Sequence, residues 1–222
     1  MIRILLIVML VCISACELQE PIVTLAPSAS CKEIIHPALL SVPFERLAQG
    51  EEQAEEWILT EFPTSTIDFE PYPRGDMSAV GRFIWSEGKK DFALYLIEEI
   101  RYIHQVSQEY PLLGDILRCY GDPEYFTLEE APMGIEARGI GVRLELWYPD
   151  RGLKFQGETW GSNEIRRYNA ESPIIGLIMV RPPDTIEEMI RNGQEGADEY
   201  VKERMALLQE WPDEFTELVL EK

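Results

Sequence analysis

Two histidines, four cysteines and forty acidic side chains are the groups in this 222-residue chain whose types could do chemistry. His36 precedes Pro37 in a proline-containing stretch, and His104 lies in an apolar-rich run. A Ser–His–Asp triad would have to recruit one of them, and no G-x-S-x-G elbow accompanies either. Zinc needs several His, Cys or carboxylate ligands held together, and neither H-E-x-x-H nor C-x-x-C occurs. The glycine-containing stretches "GIEARGIG" (134–141) and "RGLKFQG" (151–157) lack the Lys-Ser/Thr of a phosphate loop. Calcium loops carry oxygen ligands at fixed alternating positions, a spacing that "NGQEGADE" (192–199) does not reproduce. Two carboxylates across a glycosidic bond would make a hydrolase, but forty acids supply some suitable pair wherever they fall. The sequence therefore names no catalytic residue, no metal ligand and no cofactor site. The expectation is a protein that is not an enzyme.

The cysteines divide by position. In "MIRILLIVMLVCISAC" (1–16), Arg3 is the lone charge and Ile4 to Ile13 is an unbroken apolar run. As a helix, Ile4–Cys16 would be roughly 20 Å long, too short for a hydrocarbon core of about 30 Å. A positive start, an apolar centre and small residues at the end describe an export signal. Its last four residues, Ile13-Ser14-Ala15-Cys16, resemble the lipobox of bacterial lipoproteins, whose cysteine is lipidated and becomes the first residue of the mature chain. Cys12 does not fit, because the branched Val11 precedes it. The resemblance implies a signal peptide over 1–15, a lipid on Cys16, and a cell-membrane anchor on the extracytoplasmic side. One acyl chain holds marginally, whereas two or more hold durably. The competing readings are an ordinary cleaved signal and an N-terminal core helix.

Removing residues 1–15 takes away one cation and no acid, so a net charge of −20 becomes about −21. Such a surface argues against nucleic acid as a partner, since phosphates demand Lys/Arg patches. It also argues against lying flat on anionic lipid. Two cysteines then remain, Cys31 and Cys119. Export reaches an oxidising compartment in many bacteria, where two leftover thiols can pair. A Cys31–Cys119 disulfide is one reading and two separate buried thiols the other, because pairing needs Cα atoms about 4.4–6.8 Å apart.

The elements that must position these groups follow from periodicity. Residues 17–43 contain four prolines and no sustained period, so 16–43 reads as a lipidated tether and linker. The globular domain is expected over 44–222, divisible into sub-modules 44–110 and 111–222. The spacing of Ala54, Trp57, Ile58 and Phe62 predicts a helix over 50–62. The run 79–107 fits either a helix or strands. Its β-branched and aromatic content favours a meander with turns at Glu87–Lys90 and Glu98–Glu99, in which Ile100, Tyr102, His104 and Val106 share a face. Leu112, Leu113, Ile116, Leu117 and Tyr120 predict a helix over 111–123, with Gly114, Asp115 and Arg118 opposite, Gly121 as its stop and Pro123 beyond.

Alternation over 140–157 about Pro149-Asp150-Arg151-Gly152 predicts a β-hairpin. The all-apolar "PIIGLIMV" (173–180) predicts a central strand. Asp184 and Glu187 make a capping box for a helix ending near Gly193. A last amphipathic helix around 197–209 carries Tyr200, Val201, Met205 and Leu208. The fold class is α+β, with antiparallel β-meanders and packed helices after a cleaved signal and a flexible tether.

"LLGDILRCYGDPE" (112–124), followed by strands that include "LELWYPDRGLKF", resembles a module of bacterial lipoproteins in which a short helix leads into a meander. Over 111–182 it is similar to the fold of the small lipoprotein subunit of the outer-membrane barrel-assembly machinery, a fold shared with β-lactamase-inhibitor proteins. Relatives of that fold bind proteins and catalyse nothing, which implies a binding or scaffold role by analogy. Trp147 faces away from Val142 and Tyr148 in the hairpin. Either another element covers it, or Trp147, Trp160 and Tyr168 mark a binding surface. The expected function is non-enzymatic recognition of a protein or envelope component. A carbohydrate- or solute-binding lipoprotein and a carboxylate-based hydrolase are the alternatives.

Overall fold

A computed structural model describes residues 30–71, 79–97, 101–132, 140–159, 167–183, 185–193 and 198–220. The α+β class is as expected. The helices are α1 (Cys31–Ile34), α2 (Phe44–Leu47), α3 (Glu51–Glu61), α4 (Leu113–Tyr120), α5 (Ile186–Gly193) and α6 (Asp198–Leu207). Nine strands form one antiparallel sheet: β1 (Ile67–Glu70), β2 (Ala79–Glu87), β3 (Lys90–Ile97), β4 (Arg101–Ser107), β5 (Tyr125–Pro132), β6 (Ile140–Tyr148), β7 (Leu153–Thr159), β9 (Gly176–Val180) and β10 (Gln209–Glu210). Their spatial order is β1-β2-β3-β4-β9-β7-β6-β5-β10, and β8 (Arg167–Asn169) pairs separately with β11 (Glu217–Val219).

Strand β9 explains the architecture. It pairs with β4 on one side and β7 on the other, so the two expected sub-modules share one continuous sheet. All five of its residues are buried. Leu177 and Met179 face the main core, while Ile178 and Val180 face a second cluster. An alternating strand buries one face; a continuously apolar one can be buried on both. The hairpin β6–β7 beside it turns through a 3-10 segment, Pro149–Arg151, into Gly152 at φ 61°. A Cβ there would lie 2.3 Å from the Val180 carbonyl oxygen, so glycine is required twice over.

The main core fills the face that carries Phe83, Trp85, Leu94, Leu144 and Phe155. Helix α3 covers it with Ala54, Trp57 and Ile58, as its spacing predicted. The 79–107 run forms three strands, with a turn at Gly88–Lys89. Glu98–Glu99 and Ile100 lie outside the residues described. Tyr102, His104 and Val106 do share a face, but the less buried one; Ile103 and Gln105 point to the core. Asp184 is also outside the described residues, and Thr185 Oγ1 instead accepts from the Glu188 amide at 3.1 Å.

Three expectations need correction. The tether reading extended to residue 43, yet Ile34, Ile35, Ala38 and Leu39 are buried in the core. A four-residue helix and a five-residue 3-10 turn deliver these apolar pairs, and neither is long enough to show a period. Asp115 is buried on α4 rather than exposed, paired with Arg118 at 2.8 Å. On α6, Arg204 is buried and Met205 is 37% exposed, because the helix turns a cation towards carboxylates on the sheet.

One buried side chain holds the middle of the strap formed by residues 31–41. Gln105 is buried; its Oε1 accepts from the His36 amide at 3.0 Å, and its Nε2 donates to the Ile34 carbonyl at 2.7 Å. Its side-chain amide thus replaces a strand partner for backbone that would otherwise be orphaned. Gln105→Ala should lower stability by about 2–4 kcal/mol, the penalty for leaving two such groups unpaired. Urea unfolding should show a lower midpoint at an unchanged slope.

Candidate functional site

The two cysteines among the described residues lie together. Cys31 and Cys119 form a disulfide with Cα atoms 5.3 Å apart, across 88 residues of sequence. It joins α1, where the described chain begins, to the last turn of α4. Cys16 and Trp160 lie outside the described residues. Trp147 is only 3% exposed, and Tyr168 is fully buried with its hydroxyl donating to the Val142 carbonyl at 2.9 Å. The expected aromatic surface is therefore not formed by these two. Trp147 is capped by Met189 and Ile190 of α5 and Val201 of α6, and Tyr168 belongs to the main core.

Beside Trp147 lies the densest polar chemistry in the described fold, which sequence reasoning missed. Alternation along β6 places Arg143, Glu145 and Trp147 on one face, and the register sets Lys154 opposite Trp147 and Thr127 opposite Glu145. Glu145 and Lys154 are 0% and 1% exposed in their side chains. Lys154 Nζ donates to Glu145 Oε1 at 2.9 Å and sits 4.8 Å from the centre of the Trp147 ring. Thr127 Oγ1 donates to Glu145 Oε2 at 3.2 Å. Arg204 reaches in from α6: Nη2 is 3.6 Å from Glu145 Oε2, Nε donates to the Tyr200 hydroxyl at 2.9 Å, and Nη1 donates to Glu129. Arg143 Nε donates to Glu158 at 2.9 Å along the rim.

Burial alone would push the Glu145 carboxyl up, but Lys154, Arg204 and Arg143 outweigh it and hold the group below its ordinary value. Burial, only partly opposed by Glu145, holds the Lys154 ammonium below its usual range. A lysine so perturbed is a nucleophile where a substrate carbonyl reaches it. Here it is sealed by protein. The charged Glu145 is also a poor electrophile and a poor proton donor. The arrangement braces α6 against the sheet.

Both histidines are held below their ordinary pKa. Burial, assisted by Lys154, lowers the pKa of His104. Burial also lowers His36, against the pull of Glu87, whose Oε2 is 3.0 Å from Nε2. His36 Nδ1 accepts from the Ala38 amide at 3.3 Å, so in the neutral ring the proton is on Nε2, facing Glu87. No group of three or more His, Cys, Asp or Glu side chains among the described residues is placed to hold a metal ion. No helix among them is long and apolar enough to cross a membrane.

No protein-family model, curated protein or solved structure matches this chain.

The signal for the brace was present in the hairpin. Its turn sets the register, the register places Lys154 beside Trp147 and Glu145, and covering Trp147 necessarily buries both charges. The histidines give a pH test. Each takes up protons less readily folded than unfolded, so the unfolded chain binds more protons as pH falls below about 6.5. Stability should thus be undiminished above about 6.5 and fall between there and pH 5, before carboxylates titrate. Urea midpoints at pH 7.5 and 5.5 should show this, and the His36→Gln/His104→Gln double variant should flatten the difference.

Proposed function

We propose that this chain is a lipid-anchored extracytoplasmic protein of non-enzymatic binding or scaffold type, which recognises a protein or envelope component. The observation that carries the reading is the Cys31–Cys119 disulfide, which suits an oxidising compartment outside the cytoplasm. It supports the export reading of residues 1–16 from a part of the chain that the signal motif does not involve. The order of α4 followed by the meander β5-β6-β7 supports the resemblance to protein-binding lipoproteins.

The anchor and the domain are close in the chain. Fourteen residues lie between Cys16 and Cys31, a reach of at most about 50 Å when extended. A net charge of −20 favours standing off an anionic bilayer surface. The carbohydrate-binding alternative loses two of its three aromatic residues, since Trp147 and Tyr168 are both buried.

Detergent-phase partitioning with a labelled fatty acid tests the anchor. The wild-type chain should enter the detergent phase with acyl label, and Cys16→Ala should lose both. Retention of unlabelled Cys16→Ala in that phase would contradict the proposal.

A further inference from the structure

Two adjoining depressions flank the short edge strand β10 and share Glu210 and Pro212. The first, about 550 Å³, lies between β10 and β11. Its floor is apolar: Phe126 and Leu128 of β5, with Leu218 and Leu220. Val219 stands at its rim, 45% exposed. The second, about 510 Å³, is edged by Asp122, Glu124, Glu210 and Asp213 around Tyr125 and Trp211.

The charge is one-sided. Among the described residues, no Lys or Arg lines either depression. Arg167 approaches Glu217 at 3.6 Å from β8. Among the described residues, no cation forms an ion pair with Asp122, Glu124, Glu210 or Asp213. Elsewhere Glu129, Glu145, Glu158 and Glu187 each have an arginine or lysine partner. Four exposed carboxylates without a cationic partner, beside an apolar floor, complement a ligand that carries both features. Unpaired carboxylates favour cations without first having to break an internal salt bridge, and the effect falls with salt.

We infer that this double groove docks an extended cationic-apolar peptide segment of a protein partner. Its apolar side chains enter the Phe126–Leu218 depression, and its lysines or arginines lie along the carboxylates. Both walls of the first depression, β10 and β11, are extended backbone, and an extended peptide alternates its side chains in the same period. The inference rests on the binding reading proposed above and names the chemistry of the partner.

The test uses the full chain in non-ionic detergent and a fluorescein-labelled octapeptide of alternating Arg and Val, read by anisotropy at low salt against protein-free micelles. Saturable binding is expected. Glu210→Lys/Asp213→Lys, and separately Val219→Asp, should each weaken it about tenfold. The remote reversal Glu52→Lys/Glu55→Lys on α3 should leave it unchanged. No saturable binding, equal weakening by the α3 variant, or equal affinity for an alternating Arg-Ser peptide would overturn the inference. So would self-association of the chain, without peptide binding, that the groove variants abolish, since it would seat a second copy there. If a native partner copurifies equally with wild type and groove variants, the groove assignment fails while the binding reading stands.

Discussion

A salt bridge with almost no solvent contact governs the second face of this sheet. Taking Glu145 and Lys154 out of water costs several kcal/mol per ion, and their mutual attraction offsets this only with good geometry and further partners. Those partners are supplied from three directions: Thr127 from β5, Arg204 from α6 and the face of Trp147. Without α6 in place, Arg204 would leave Glu145, and the ions would be poorly compensated. The helical layer and the ionic cluster therefore depend on each other.

The opposite face works differently. The main core is predominantly apolar, and its N-terminal cover is secured by Gln105, by the Cys31–Cys119 bond and by the packing of Ile34, Ile35 and Leu39. Strand β9 belongs to both regimes, with Leu177 and Met179 on one side and Ile178 and Val180 on the other. The buried ionic cluster of Glu145, Lys154 and Arg204 thus serves the join between layers. Asp122, Glu124, Glu210 and Asp213 at the β10 edge are without cationic partners among the described residues.

Much of this was legible wherever apolar residues recur at a regular interval. Ala54, Trp57 and Ile58 mark α3, the Pro149–Gly152 turn marks the β6–β7 hairpin, and the apolar run of β9 marks a central strand. The failures share a physical origin. A pattern of apolar faces sets Asp115 outward and offers no signal for burying Glu145, Lys154 or Arg204, although each is buried with partners. The strap over 31–41 was missed because its two apolar pairs sit in elements of four and five residues, shorter than any recurrence. The groove beside β10 was hidden for another reason: β5 and β11 are distant in sequence and belong to separate sheets, so only tertiary packing brings Phe126 and Leu218 to one floor.

The claim that the Glu145–Lys154 pair is a brace is tested most directly by a double-mutant cycle with methionine at both positions. Urea unfolding should show Glu145→Met and Lys154→Met each destabilising by about 3–5 kcal/mol, since each strands an uncompensated buried charge. The double variant should recover most of that loss, with a coupling energy above about 2 kcal/mol. Additive losses, or single variants indistinguishable from wild type, would contradict the account.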